Sequence, residues 1–401
     1  MIPHLFRIEY RKIVAVLCRR FGLEQIEIAE DIASETFLTA SQTWGIGGIP
    51  ENPVAWLYSV AKNKAKNQLQ RTRTFSEKVL PALENEGLEM PEMDMSPEHI
   101  EDSQLRMMFA ICHPSISAEM QISLSLRILC GFGIDEIAAA FLSNKENIQK
   151  RLFRAKEKLR EAGVRLELPS SPMMEKRLAA VLTTIYLLFN EGYYSSCEDQ
   201  VMRKDLCLEA MRLCHMLAEN NTTNLPQVNA LLSMMYFHAS RFEARLKQNG
   251  ELILYEDQDT DLWNQELIKR GSFFLKKSAI GNNMSRYHLE AEIAFYHTQK
   301  IDSPEKWEAI LHCYNRLLEV HYSPIAALNR TYALYKATGK EVAIAEAETL
   351  QLYNNPFYFG LLGTLYTGID NQKAKSNFSL ALQHAKSAAA KQVIQKKIDL
   401  L

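Results

Sequence analysis

The sequence predicts an all-α protein. Three observations lead there. Apolar residues recur at helical spacing from end to end, alternating β-branched runs are rare, and Pro or Ser/Thr/Asn/Asp stand where helices must begin. At 401 residues the chain exceeds one ordinary core and calls for two or three domains. With 47% hydrophobic and 23% charged residues and a net charge of −2, it has the balance of a globular protein rather than a disordered one. The longest apolar run, LAAVLTTIYLLF at 178–189, is too short to span a bilayer. MIPHLFRIEYRK reaches charge at once and lacks a signal-peptide pattern, so a cytoplasmic location is expected, with no membrane partner.

The first block, residues 1–75, holds EIAEDIASETFLTASQTW (27–44) and ENPVAWLYSVAKNKAKNQLQRTR (51–73). In the first helix Ile28, Ile32, Phe37 and Leu38 can pack inwards, leaving Glu30, Asp31, Ser34 and Glu35 outwards. The second puts Leu57, Val60, Ala61 and Leu69 inside. Its other face offers Lys62, Asn63, Lys66, Asn67 and Arg71, with Trp56 near its start. A positive surface with aromatic and amide side chains suits unstacked single-stranded bases. The glycines of WGIGGIP (44–50) lack the Gly-Lys-Ser/Thr and preceding strand of a phosphate loop and read as a mobile loop.

Residues 76–102 are strongly acidic, are interrupted by Pro81, Pro91, Pro97 and Gly87, and read as a flexible linker. A second helical block follows at 103–168. Within it Gly133 and Glu136 start one helix and Ser143-x-x-Glu146 is a capping box for the next, a helix-turn-helix spacing. On the later helix Ile148, Leu152, Ala155 and Leu159 form one buried stripe. Asn147, Lys150, Phe153 and Arg154 lie opposite, flanked by Arg151 and Lys158. An aromatic ring on a basic face favours DNA, where Phe153 can meet a thymine methyl and Lys150 and Arg154 guanine edges or phosphates. The alternative is a solvated amphipathic helix with a stray Phe.

Residues 172–401 read as a divergent helical-repeat array. Pro324 and Pro356 open helices after short polar turns. PFYFGLLGTLY (356–366), followed by Ala374, Phe378 and Ala381, has the spacing of a tetratricopeptide repeat. Asp257 or Asp259 is a candidate cap for a helix near Leu262, against the reading of that acidic cluster as catalytic.

The seven cysteines are scattered, and Cys112-His113 and Cys214-His215 diverge on a helix, so no metal is expected. Without H-E-x-x-H, G-x-S-x-G or a P-loop, neither an enzyme nor a cofactor is expected.

The order of the two N-terminal blocks resembles an extracytoplasmic-function sigma factor of the sigma-70 family. AEDIASETF looks like its core-polymerase-binding helix and NPVAWLYSVAKNKAKNQLQR like its minus-10 segment, both in region 2; residues 131–160 look like region 4. LFNEGYYSS (188–196), RKDLCLEAMRL (203–213), GELILYEDQDTDLWNQELIKRG (250–271) and ICHP (111–114) resemble the long-chain group with a tetratricopeptide-like extension. The resemblance implies core RNA polymerase and promoter DNA as partners; helical repeats bind peptides or proteins on concave faces, which makes a regulatory protein a further candidate partner of the array. It would place Asp31, Glu35 and Phe37 on the polymerase-facing helix. Trp56, Asn63 and Asn67 would lie at the minus-10 surface with Lys62 and Arg71 on the backbone. Asn147, Lys150, Phe153 and Arg154 would face the minus-35 element, with Arg151 on phosphate. Ser34 stands where the family commonly has Gln, and Thr338-Gly339-Lys340 where the long-chain group often has Asp-Gly-Pro. An ordinary helix-turn-helix regulator with a helical sensor domain is the alternative; it would have no need of the 27–73 surface.

Overall fold

The computed structural model describes residues 2–79, 93–141, 143–193, 203–245, 253, 255–281, 284–353, 355–385 and 388–401. Residues 80–92 of the expected acidic linker, Cys197, and parts of the 188–196 and 250–271 stretches lie outside them. Among the described residues there are helices and no strand, as the periodicity predicts.

Two compact units divide the chain, Met1–Leu187 and Leu188–Leu401. The first contains α1 (Ile2–Phe21), α2 (Ile26–Gly47), α3 (Pro53–Val79), α4 (Pro97–Ile111), α5 (Ala118–Leu124), α6 (Ile134–Ala140) and α7 (Lys145–Glu161). α3 and α4 therefore reach into both ends of the expected linker. The division falls inside α8 (Ser171–Tyr193) rather than at the Pro/Ser-rich 169–172 junction. The first half of α8 is tied to the first unit, since Thr184 donates to the Gln121 side chain (2.9 Å) and Arg177 to the Phe109 carbonyl.

The core of the first unit is built on α1, whose Tyr10, Ile13, Val14, Leu17 and Cys18 are inaccessible to solvent. α1 packs on α2, α3 and α4. After α5 the chain makes a π-helical turn, Ser125–Leu129, closed by Cys130 N–H on the Ser125 carbonyl (3.0 Å). Gly131 then has φ +72°, and a Cβ there would lie 2.7 Å from the Arg7 backbone carbonyl oxygen. No other residue lets α1 approach this turn so closely.

The second unit comprises α9 (Lys204–Glu219), α10 (Pro226–Ala239), α11 (Gln265–Ser278), α12 (Arg286–Tyr296), α13 (Pro304–Val320), α14 (Pro324–Thr338), α15 (Lys340–Leu350), α16 (Pro356–Tyr366), α17 (Asn371–His384) and α18 (Ala388–Asp399). Proline is the first residue of α10, α13, α14 and α16, where its missing N–H costs nothing. The repeat-like spacing of 356–381 forms the pair α16–α17. Ala374, Phe378 and Ala381 are buried, and a Cβ on Gly363 would sit 2.6 Å from the Phe378 ring. Asp259 caps only a short 3-10 turn, Thr260–Leu262, and Asn264 caps α11 by accepting from Leu267 N–H (3.1 Å).

Candidate nucleic-acid and polymerase interfaces

α7 begins one residue later than the capping box suggests. Asn144, not Ser143, is the N-cap, its side chain accepting from Asn147 N–H (2.8 Å). From that start the predicted stripe turns inwards, and Ile148, Leu152, Ala155 and Leu159 are all buried. The opposite arc is open to solvent. Asn147, Lys150, Arg154 and Lys158 are exposed, and Phe153 is 58% exposed. Lys150, Arg154 and Lys158 make no ion pair among the described residues.

The other cations of α7 are engaged within the unit. Lys145 pairs with Asp135 (2.9 Å) and Arg160 with Glu27 (2.9 Å). Arg151, expected on phosphate, is instead half-buried: it reaches Glu119 (3.5 Å) and Ser123 (3.4 Å) and lies over the Phe141 ring. At position 151 the helix has already turned towards α5, so the arc left open to solvent is Asn147, Lys150, Phe153, Arg154 and Lys158.

Lys156 meets a residue that helical projection had placed outwards. Glu30 of α2 is 8% exposed and receives Lys156 Nζ, Arg127 Nε (3.0 Å) and the Tyr10 hydroxyl (3.2 Å). Arg127 also donates to the Phe132 carbonyl (3.2 Å). Burial, with Glu30 next, pushes the Tyr10 phenol far above its usual range, so it stays a donor. One carboxylate thus holds α7, the π turn and α1 together. A signal for this was present: Ile26, Ala33 and Phe37 lie at −4, +3 and +7 from Glu30, at the centre of the buried stripe.

The same rotation of α2 corrects two further expectations. Phe37 is 4% exposed and packs edge-on against Phe6 (5.0 Å), so it belongs to the core and cannot face a partner. Leu38, expected inside, is 58% exposed. The open strip of α2 is Asp31, Ser34, Glu35 and Leu38, with Glu35 accepting from Lys64 (3.1 Å). Beside it lies a cleft of about 730 Å³ whose walls include Phe6, Arg7, Ser34, Leu38 and Glu136. Arg7 and Glu136 form an ion pair at its edge.

On α3, Asn63, Lys66, Asn67 and Arg71 are exposed, and 63, 67 and 71 succeed one another at one-turn intervals on a single face. Lys62 is half-buried and near enough to Asp94 to favour its ionised form, after the larger effect of the Ser96 N–H and hydroxyl. Trp56 is half-buried, edge-on to Trp44 at 5.3 Å.

Among the described residues no group of three His, Cys, Asp or Glu is placed to hold a metal ion, and no helix is long and apolar enough to cross a membrane. Among the described residues six cysteines are buried, and burial pushes the Cys112 thiol up to about 11.

Comparison with known proteins gives these surfaces a setting. Residues 5–75, which span α1, α2 and most of α3, match sigma-70 region 2. Residues 177–279 match a family of unknown function, DUF6596. An uncharacterized protein of Rhizobium meliloti (strain 1021) is 32% identical over 385 residues, covering 94% of this chain and 90% of its own. No solved structure matches the chain.

Proposed function

The chain belongs to one family with the Rhizobium meliloti protein and carries a sigma-70 region 2, and from that premise we propose that it is a promoter-specificity subunit of bacterial RNA polymerase, of the extracytoplasmic-function type. The open strip of α2, with Asp31 and Glu35, docks on core polymerase. The amide and cationic face of α3, with Trp56 at its head, holds the unpaired minus-10 strand, where bases stack on aromatic rings and phosphates meet Lys and Arg. The α6–α7 pair acts as a helix-turn-helix in the minus-35 major groove. The protein works by binding and has no chemistry of its own. The helical second unit takes a regulatory protein partner.

The observation that carries the reading is the outward arc of α7. Phe153 is 58% exposed, and Lys150, Arg154 and Lys158 around it lack ion-pair partners among the described residues, while the remaining cations of the helix are neutralised within the unit. Unpaired cations beside an exposed ring suit phosphates and base edges and have no packing role.

Binding order tests it. Purified protein mixed with core polymerase should co-elute as one complex, and the complex should shift promoter duplex that the free protein leaves unbound. A free protein that binds duplex specifically and never joins the polymerase would identify an ordinary regulator instead.

A further inference from the structure

A charge in a protein interior is normally met by a counter-charge or by several hydrogen bonds, because desolvation otherwise opposes folding. Arg241, two residues beyond α10, departs from this. It is 6% exposed, yet among the described residues it has no ion pair. Its Nη2 reaches the Tyr193 hydroxyl at a long 3.4 Å, its Cζ lies 5.3 Å from the centre of the Tyr255 ring, and its Nε has no partner. A ring face attracts the cation but leaves most of its five N–H donors unmet.

The neighbours share the deficit. Trp263 is 4% exposed with its indole N–H unpartnered, and its ring lies 6.3 Å from that of Tyr255. His297, 4.8 Å from the same ring, has an unpartnered Nδ1, and Gln258 an unpartnered Oε1. Lys306, 4% exposed, gives its ammonium to the Tyr255 hydroxyl (2.8 Å) and the Gln299 carbonyl (3.0 Å). Its carboxylate, Asp302, lies 3.7 Å away and is shared with Lys336 (3.0 Å) and the Trp307 indole (2.6 Å). Asp302 is thereby committed elsewhere, and among the described residues no carboxylate forms an ion pair with Arg241. Burial, reinforced by Arg241 and Lys306, holds the His297 imidazole down to about 3, so the surroundings already repel a further proton.

We infer that Arg241 is the charge anchor of a site in the second unit for a small metabolite bearing an oxyanion, a carboxylate or a phosphate. The guanidinium fork matches an oxyanion, the Trp263 N–H supplies a further donor, and the Tyr193 and Tyr255 rings bound the site. This site is independent of the sigma-factor reading, since every residue in it belongs to Leu188–Leu401.

The test is a titration of the full chain, held in chloride buffer at constant ionic strength, with inorganic phosphate and separately with malate. Tryptophan emission and Tm are followed. At least one anion should change the emission saturably and raise Tm, and the two arms tell phosphate from hydroxycarboxylate. Arg241→Lys should weaken the response roughly tenfold or more, the usual worth of hydrogen bonds to a charged group. Arg241→Met should abolish it while melting no lower than wild type in chloride, because it removes an uncompensated charge. A wild-type protein indifferent to both anions overturns the proposal, as does an undiminished response in Arg241→Lys, which retains the charge should the Met variant fail to fold.

Discussion

Replacing Glu30 with alanine strands two cations at once. Lys156 and Arg127 have side chains only 13% and 17% exposed, and Glu30 supplies the carboxylate that both share. Removing one partner of a buried ion pair costs about 3–5 kcal/mol, mostly the penalty of leaving the other charge uncompensated. For a unit of this size that corresponds to a Tm lower by roughly 6–20 °C. Glu27→Ala is the internal control: its pair with Arg160 joins side chains 44% and 41% exposed, and such pairs contribute about 0–1 kcal/mol. Glu30→Gln retains an acceptor for Tyr10 but loses the charge, and should fall between the two. Differential scanning calorimetry of the full chain reads the first unit's transition. If Glu30→Ala melts within a couple of degrees of Glu27→Ala, Glu30 is not the buried clamp between α2, α7 and the π turn.

Four further outcomes are expected. Arg154→Ala should lose about 1–3 kcal/mol of discrimination at one base step of the upstream element with core-polymerase binding unchanged, measured by competition on promoter variants. Reversing charge at Asp31 and Glu35 together should abolish polymerase pull-down while circular dichroism stays helical; normal recovery would remove α2 from the polymerase interface. Gly131→Ala forces an L side chain into the left-handed region, about 1–2 kcal/mol, and sets its Cβ against the Arg7 carbonyl, so urea unfolding should show at least that loss. Acid should weaken the second unit. His297 is held down to about 3 and His238 well below its ordinary value, both chiefly by burial, so below pH 6.5 the unfolded chain binds more protons than the folded one. Stability is then complete above pH 6.5 and falls with pH by about 1.4 kcal/mol per unit for each histidine. A Tm that stays flat between pH 6.5 and 5 would contradict their burial as neutral rings.

Helix identity, the inward stripe of α7 and the exposure of Phe153 were legible because each depends on spacing within one helix. So were Pro324 and Pro356 as helix starts. What the sequence concealed depends on residues far apart in the chain. Glu30 meets Lys156 and Arg127 from across the unit, and a charged residue in an apolar stripe looks like a solvated one until its partners are known. Phe37 lies inside, as the apolar pattern predicts, whereas Leu38, about 100° further round α2, falls on the open strip. Arg151 is half-buried for the related reason that the flank of a helix belongs to whichever neighbour packs there, here α5. The expected flexible separation of the two N-terminal blocks also missed their direct contacts. Arg7–Glu136 and the Glu30 cluster join them within Met1–Leu187, and Gly131 fits against the backbone of α1.

The most direct measurement is run-off transcription with purified core polymerase on a library of genomic fragments, comparing wild type, Arg154→Ala and Phe153→Ala. The account predicts discrete transcripts that require the protein, share an upstream element, and weaken in both variants while polymerase binding persists. Transcription no different from core polymerase alone, or a pattern unchanged by both α7 substitutions, would contradict it.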